Sequence, residues 1–108
     1  MSSIREKVEE LRAAIEESEE YQSFQEARRQ VDTVPGLAEK IREFCWKNYE
    51  LQKHSGENLY ELMGEFEAQY EDFRRNPVVK EYLERELHMC RVMQEIHARL
   101  LSVMDLLI

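Results

Sequence analysis

Three glycines and two prolines are too few to punctuate a β-rich chain of 108 residues, which needs turn residues between its strands. The same scarcity excludes a glycine-rich phosphate loop. Two cysteines, Cys45 and Cys90, make no disulfide framework and no C-x-x-C pair. With both thiols taken as reduced, the cytoplasm is the expected compartment. Also missing are a nucleophile elbow, an H-E-x-x-H and an E-x-x-H, which removes the serine-hydrolase, zincin and di-iron bundle patterns. No long apolar run exists. The segment from Leu100 to Ile108 is broken by Ser102 and Asp105, and the N-terminus turns polar at Arg5, so neither a membrane span nor a signal peptide is expected.

Basic charge is scarce as well. Fifteen Lys and Arg face 23 Asp and Glu, a net charge of −8. The deficit runs throughout: five basic against nine acidic groups in residues 1–36, six against nine in 37–76, four against five in 77–108. The only adjacent arginines are Arg28-Arg29 and Arg74-Arg75. Phosphate backbones and anionic lipid repel such a surface, so neither direct nucleic-acid binding nor membrane binding is expected.

What the chain does have is helix-forming composition, with Glu, Lys, Arg, Leu, Ala and Gln dominant and a hydrophobic fraction of 43%. The pattern predicts an all-α fold in one domain over residues 1–108, with about five helices. The first runs from about Ser3, as N-cap, to Glu17, with Ile4, Val8, Leu11 and Ile15 in one stripe. The second is capped by Ser18, carries Tyr21, Phe24, Ala27 and Val31, and ends before Val34-Pro35-Gly36. The third spans about Leu37 to Lys53, with Leu37, Ile41, Phe44, Cys45 and Leu51 on one face. His54-Ser55-Gly56 interrupts it. The fourth, about Glu57 to Arg74, has the clearest stripe: Leu59, Leu62, Met63, Phe66, Tyr70 and Phe73.

Asn76-Pro77 is a strong helix start, and the pattern then continues to the last residue. A helix of roughly 30 residues is about 45 Å long, whereas a compact domain of this size is roughly 34 Å across. The last helix should therefore overshoot a monomeric globule. Its apolar arc is wider than one helix pair needs. Met89, Met93, Ile96, Leu100, Val103, Met104 and Leu107 on that arc are the expected oligomer interface, so that the whole is an intertwined homo-oligomeric bundle; cover by several short helices of the same chain is the other reading. Trp46 and Tyr49 are candidate contacts for another protein, since aromatics are common interface hot spots; core edge is an equal reading.

The search for chemistry yields no catalytic set, no metal site and no cofactor, so a non-enzyme is expected. Carboxylates such as Glu57, Glu61 and Glu65 read as a solvated face. One constellation is less bland: Glu86, Cys90, Met93 and His97 lie within about 60° on the last helix. A metal- or iron–sulfur-binding sensor using Cys90 and His97 across a two-fold axis is the rival reading. Its weakness is spacing, because seven residues separate the two by two turns.

From Tyr21 onward the chain resembles the YlbF/YmcA family of small helical bacterial proteins. The residues that carry this are Glu20-Tyr21, Phe24 and Ala27, then Glu50-Leu51-Gln52, then Asn76-Pro77-Val78-Val79 with Tyr82-Leu83 and Glu86, and finally Gln94-Glu95-Ile96. The resemblance implies a self-associating all-α fold and cytoplasmic regulation of competence, sporulation or biofilm formation. It also implies partners among other regulatory proteins, some relatives directing ribonuclease Y toward messenger RNA maturation. Assemblies containing some relatives are associated with iron–sulfur clusters, for which this chain offers only Cys45 and Cys90.

Overall fold

Capping side chains place the helices of this chain. A computed structural model describes residues 3–53, 56 and 58–104. Among them are six helices and no strand: α1 (Ile4–Glu17), α2 (Glu19–Asp32), α3 (Leu37–Lys53), α4 (Leu59–Gln69), α5 (Glu71–Arg75) and α6 (Pro77–Ser102). The Ser3 hydroxyl accepts from the Glu6 amide at 3.2 Å. Ser18 does the same for Tyr21 at 3.2 Å while its own hydroxyl donates to the Ile15 carbonyl at 2.6 Å. Ser18 thereby ends α1 and starts α2 through one extended residue (φ −69°, ψ 152°). Gly36, at φ 77°, supplies the left-handed turn into α3 that an L side chain would resist.

Two boundaries differ from the sequence pattern. The expected fourth helix is two, because Tyr70 leaves helical geometry (φ −106°, ψ 13°) between α4 and α5. The apolar stripe runs on across this break, since Phe66, Tyr70 and Phe73 all reach the same core. The last helix ends at Ser102 instead of continuing to the terminus, with the Val103 amide bonded to the Leu100 carbonyl and the Met104 amide to the Leu101 carbonyl. His54, Ser55, Glu57 and Leu107 lie outside the described residues.

The start of α6 follows the expected chemistry. The Asn76 side-chain oxygen accepts from the Val78 amide at 2.9 Å, and Pro77 takes the first helical position, where a missing N–H costs nothing. Losing a cap of this kind costs about 0.5–2 kcal/mol. Asn76→Ala should lower the unfolding free energy in urea by that amount, and Asn76→Asp should retain it; an unchanged midpoint in Asn76→Ala would show that the cap is irrelevant.

The core is small and lies to one side. Val31, Leu37, Ile41, Phe44, Tyr70, Phe73 and Val79 form it, so it draws on α2, α3, α5 and the first turn of α6. Aromatic rings fill its centre: Phe44 sits 5.3 Å from Phe66, 5.1 Å from Tyr70 and 5.3 Å from Phe73 between ring centroids. The main helix pair is α2 with α6. Val31 near the end of α2 shares the core with Val79 at the start of α6, while Phe24, two turns earlier, meets Tyr82, with centroids 5.9 Å apart. The two helices therefore run in opposite senses. Charge bridges helices through rings: the Lys40 and Lys47 ammoniums of α3 lie 5.5 and 5.6 Å from the ring centres of Phe73 and Tyr70. The seven ion pairs found among the described residues all join positions three or four apart on one helix, facing solvent.

The molecule is thin and long, 57 × 41 × 17 Å, with a radius of gyration of 18.3 Å. A compact domain of this length has a radius near 13 Å. The 26 residues of α6 alone extend about 39 Å.

Candidate protein-interaction surface

Two arms leave the core. Along α6, Val79 and Met89 are buried, Val92 and Ile96 are half-buried, and beyond them the apolar side chains stand in solvent: Leu100 is 58% exposed and Val103 82%. Along α1, read backward from the Ser18 junction, the trend repeats. Ile15 and Leu11 are half-buried, Val8 is exposed, and Ile4 is 84% exposed. No side chain of α1 is buried at all. Its stripe is nonetheless as regular as that of a core helix. An isolated helix of 14 residues is marginal in water, so a stripe of this kind calls for a covering surface.

The accessible area states the same imbalance. The chain exposes 9133 Å², whereas a compact monomer of 13.0 kDa exposes about 6,300 Å². The excess is several times the ~800 Å² that each partner buries in a standard interface.

Of the residues expected at an oligomer interface, Met93, Leu100, Val103 and Met104 are exposed and Ile96 is half-buried, all on the distal part of α6. Met89 is buried by its own chain and belongs to the fold. The exposed face thus begins one turn later than the sequence pattern placed it. Ile4 and Val8, which sequence reasoning treated only as a helix stripe, are as open as the α6 residues. Their 4-3-4 spacing marked a face without telling what covers it.

A second surface lies on α3. Trp46 and Tyr49 are 60% and 48% exposed, with ring centroids 5.8 Å apart, and the Lys53 ammonium sits 4.3 Å from the Tyr49 ring centre. The two aromatics edge a shallow depression of about 380 Å³ whose other walls are Ile41, Arg42, Cys45, Tyr82 and Glu86. A neighbouring hollow of about 200 Å³ shares Ile41, Arg42 and Tyr82 and reaches Phe24 and Arg28 on α2. Inside this region the Tyr82 hydroxyl donates to Glu86 Oε2 at 2.6 Å. Burial, then this bond to the carboxylate, pushes the Tyr82 phenol far above its ordinary range. Burial likewise raises the Cys45 thiol, with the Glu86 charge adding to it. A thiol held protonated is a poor nucleophile and a poor metal ligand. The Tyr82–Glu86 pair was legible as a four-residue spacing on one helix, but sequence reasoning had assigned Glu86 to the Cys90 group.

That group does not converge. Cys90 and His97 are both exposed, and Glu86 is engaged by Tyr82. Among the described residues, no three His, Cys, Asp or Glu side chains come together as metal ligands, and no helix is long and apolar enough to cross a membrane.

A family model described as "Control of competence regulator ComK, YlbF/YmcA" matches residues 4–102. A UPF0342 protein of Desulfitobacterium hafniense (strain Y51) is 32% identical over 97 residues, covering 87% of this chain and 78% of that protein. No solved structure matches the chain.

Proposed function

Since the chain belongs to the YlbF/YmcA family, described as controlling the competence regulator ComK, we propose that it is a non-enzymatic helical adaptor that self-associates and modulates a partner protein. One observation carries the first half of this reading: the apolar faces of α1 and distal α6 have no cover in the single chain, which exposes 9133 Å². Burying such faces against a second copy is the lowest-cost way to remove them from water, because apolar area contributes about 25 cal/mol per Å². The second half rests on Trp46 and Tyr49. Two large rings standing in solvent beside a half-polar depression suit a partner's anchor residue. Through the family resemblance the partner is ribonuclease Y, and the cellular outcome is altered messenger RNA maturation bearing on competence, sporulation or biofilm development.

Calorimetric titration of the purified chain into the soluble part of ribonuclease Y tests the partner. Micromolar binding is expected, and Trp46→Ala should weaken it about 30-fold, as removal of a 2 kcal/mol hot spot does. Because Trp46 is exposed, the variant should keep its helix content by circular dichroism. A wild type that shows no heat of binding would overturn the ribonuclease Y assignment.

A further inference from the structure

We infer that two copies pair through α6 itself, antiparallel about a two-fold axis that crosses the helix between Glu95 and Ile96. This rests on the self-association reading and names the surface and its register. Leu87, Cys90, Gln94, His97, Leu101 and Met104 follow one another at spacings of 3, 4, 3, 4 and 3, which are the a and d positions of a coiled-coil seam. All six are exposed. They flank the stripe of Met89, Val92 and Ile96, which the chain's own fold covers wholly or in part. The seam spans 18 residues, about 27 Å.

The order of side chains along the seam selects its occupant. Laid against a reversed copy of itself, it sets Leu87 against Met104, Cys90 against Leu101 and Gln94 against His97, each pair equidistant from the axis. Apolar meets apolar at both ends. The two polar side chains meet each other at the centre, twice, and an amide and an imidazole can each both donate and accept. Polar residues at seam positions fix register in this way. The flanking positions agree: Met93 falls opposite Leu100, both exposed, and Arg91 falls opposite Ala98, so no like charges face one another. A second copy supplies this complement by symmetry alone, as an isologous contact requires. The bulk of the chain fits too. The core lies beside the start of α6, at Val78, Val79, Tyr82 and Leu83, so overlap of residues 87–104 leaves the two cores at opposite ends. Parallel pairing would bring both cores to the same end and set His97 on His97. Area is no obstacle, since the surface exposed beyond that of a compact monomer exceeds what one partner buries in a standard interface.

The test uses the full chain and reads the register through Cys90. Light scattering coupled to size-exclusion chromatography should first give a dimer mass for wild type. Cys45→Ser leaves Cys90 as the one thiol. In the antiparallel pair the two Cys90 side chains are 11 residues out of step, roughly 17 Å along the axis, well beyond the roughly 4.4–6.8 Å between Cα atoms that a disulfide spans. Adding Leu101→Cys brings Cys90 of each copy against the introduced thiol of the other. After mild oxidation with diamide, the Cys45→Ser/Leu101→Cys chain should run as a covalent dimer and the Cys45→Ser chain as a monomer, with peptide mapping placing the bond between positions 90 and 101. A second measurement needs no thiol. Leu87→Lys and Met104→Asp should each weaken association at least tenfold, and the double variant should recover it, because each lysine then meets the other copy's aspartate. Positions 87, 101 and 104 are exposed in the single chain, so these variants should keep wild-type helix content. A wild-type dimer whose Leu101→Cys variant does not cross-link overturns the inference and leaves self-association standing. So does a covalent dimer of Cys45→Ser alone, the mark of parallel helices, or a double charge variant no better than the single ones. A wild type that is monomeric at tens of micromolar overturns both readings.

Discussion

Replacing Phe44 by alanine should cost about 3–5 kcal/mol of folding free energy, the usual range for deleting a buried phenylalanine. Phe44 is buried and contacts three other rings at once, from α4, from the Tyr70 break and from α5. Its removal leaves a cavity at the point where α3, α4 and α5 meet, in a cluster of seven buried residues among those described. Small domains have about 5–15 kcal/mol in total, so the variant should be largely unfolded or only marginally folded at 37 °C. Urea denaturation followed by circular dichroism measures this. A loss below 1 kcal/mol would show that the aromatic cluster packs less tightly than its centroid distances imply.

Met93→Lys should separate the copies and leave each one folded. Met93 is 44% exposed in the single chain, on the turn after buried Met89. In a monomer the lysine stem can lie along α6 and carry its ammonium to water, so little is lost. In an oligomer sealed on this face the ammonium loses water without gaining a partner, and the two-fold axis applies that cost twice. A dimer of ordinary affinity does not survive a penalty of several kcal/mol. Light scattering should report the monomer mass, with an unchanged helical spectrum. An unchanged oligomer mass would remove Met93 from the interface.

Much of the fold was legible because capping is local chemistry. Ser3, Ser18 and Asn76 are short polar side chains preceding apolar-periodic segments, and each bonds the amide that the pattern requires. The break at Tyr70 was not legible. No glycine or proline marks it, and the core takes up Phe66, Tyr70 and Phe73 on both sides of it, so periodicity alone reads one helix. The site was legible only as a set of faces. The spacing of Leu100 and Val103 establishes that they share a side of α6. Whether that side is covered depends on how far α2, which begins at the Ser18 kink, extends alongside it. Trp46 had the same ambiguity, lying about one helical step from the core-facing Cys45; the structure turns it into solvent.

The purely intrahelical ion pairs have a consequence for how ionic strength acts on this protein. Salt weakens each of the seven pairs, but every one of them links neighbours on a single helix, so screening these pairs softens local helix propensity without breaking an ion pair between helices. The opposing effect is global. A chain of net charge −8 repels itself and its own copies, and at physiological ionic strength a Debye length of about 8 Å confines that repulsion to near neighbours. For the self-association proposed above, monovalent salt would therefore act mainly by screening the repulsion between acidic copies, and low-salt buffer would oppose their approach while leaving the aromatic core of each chain intact.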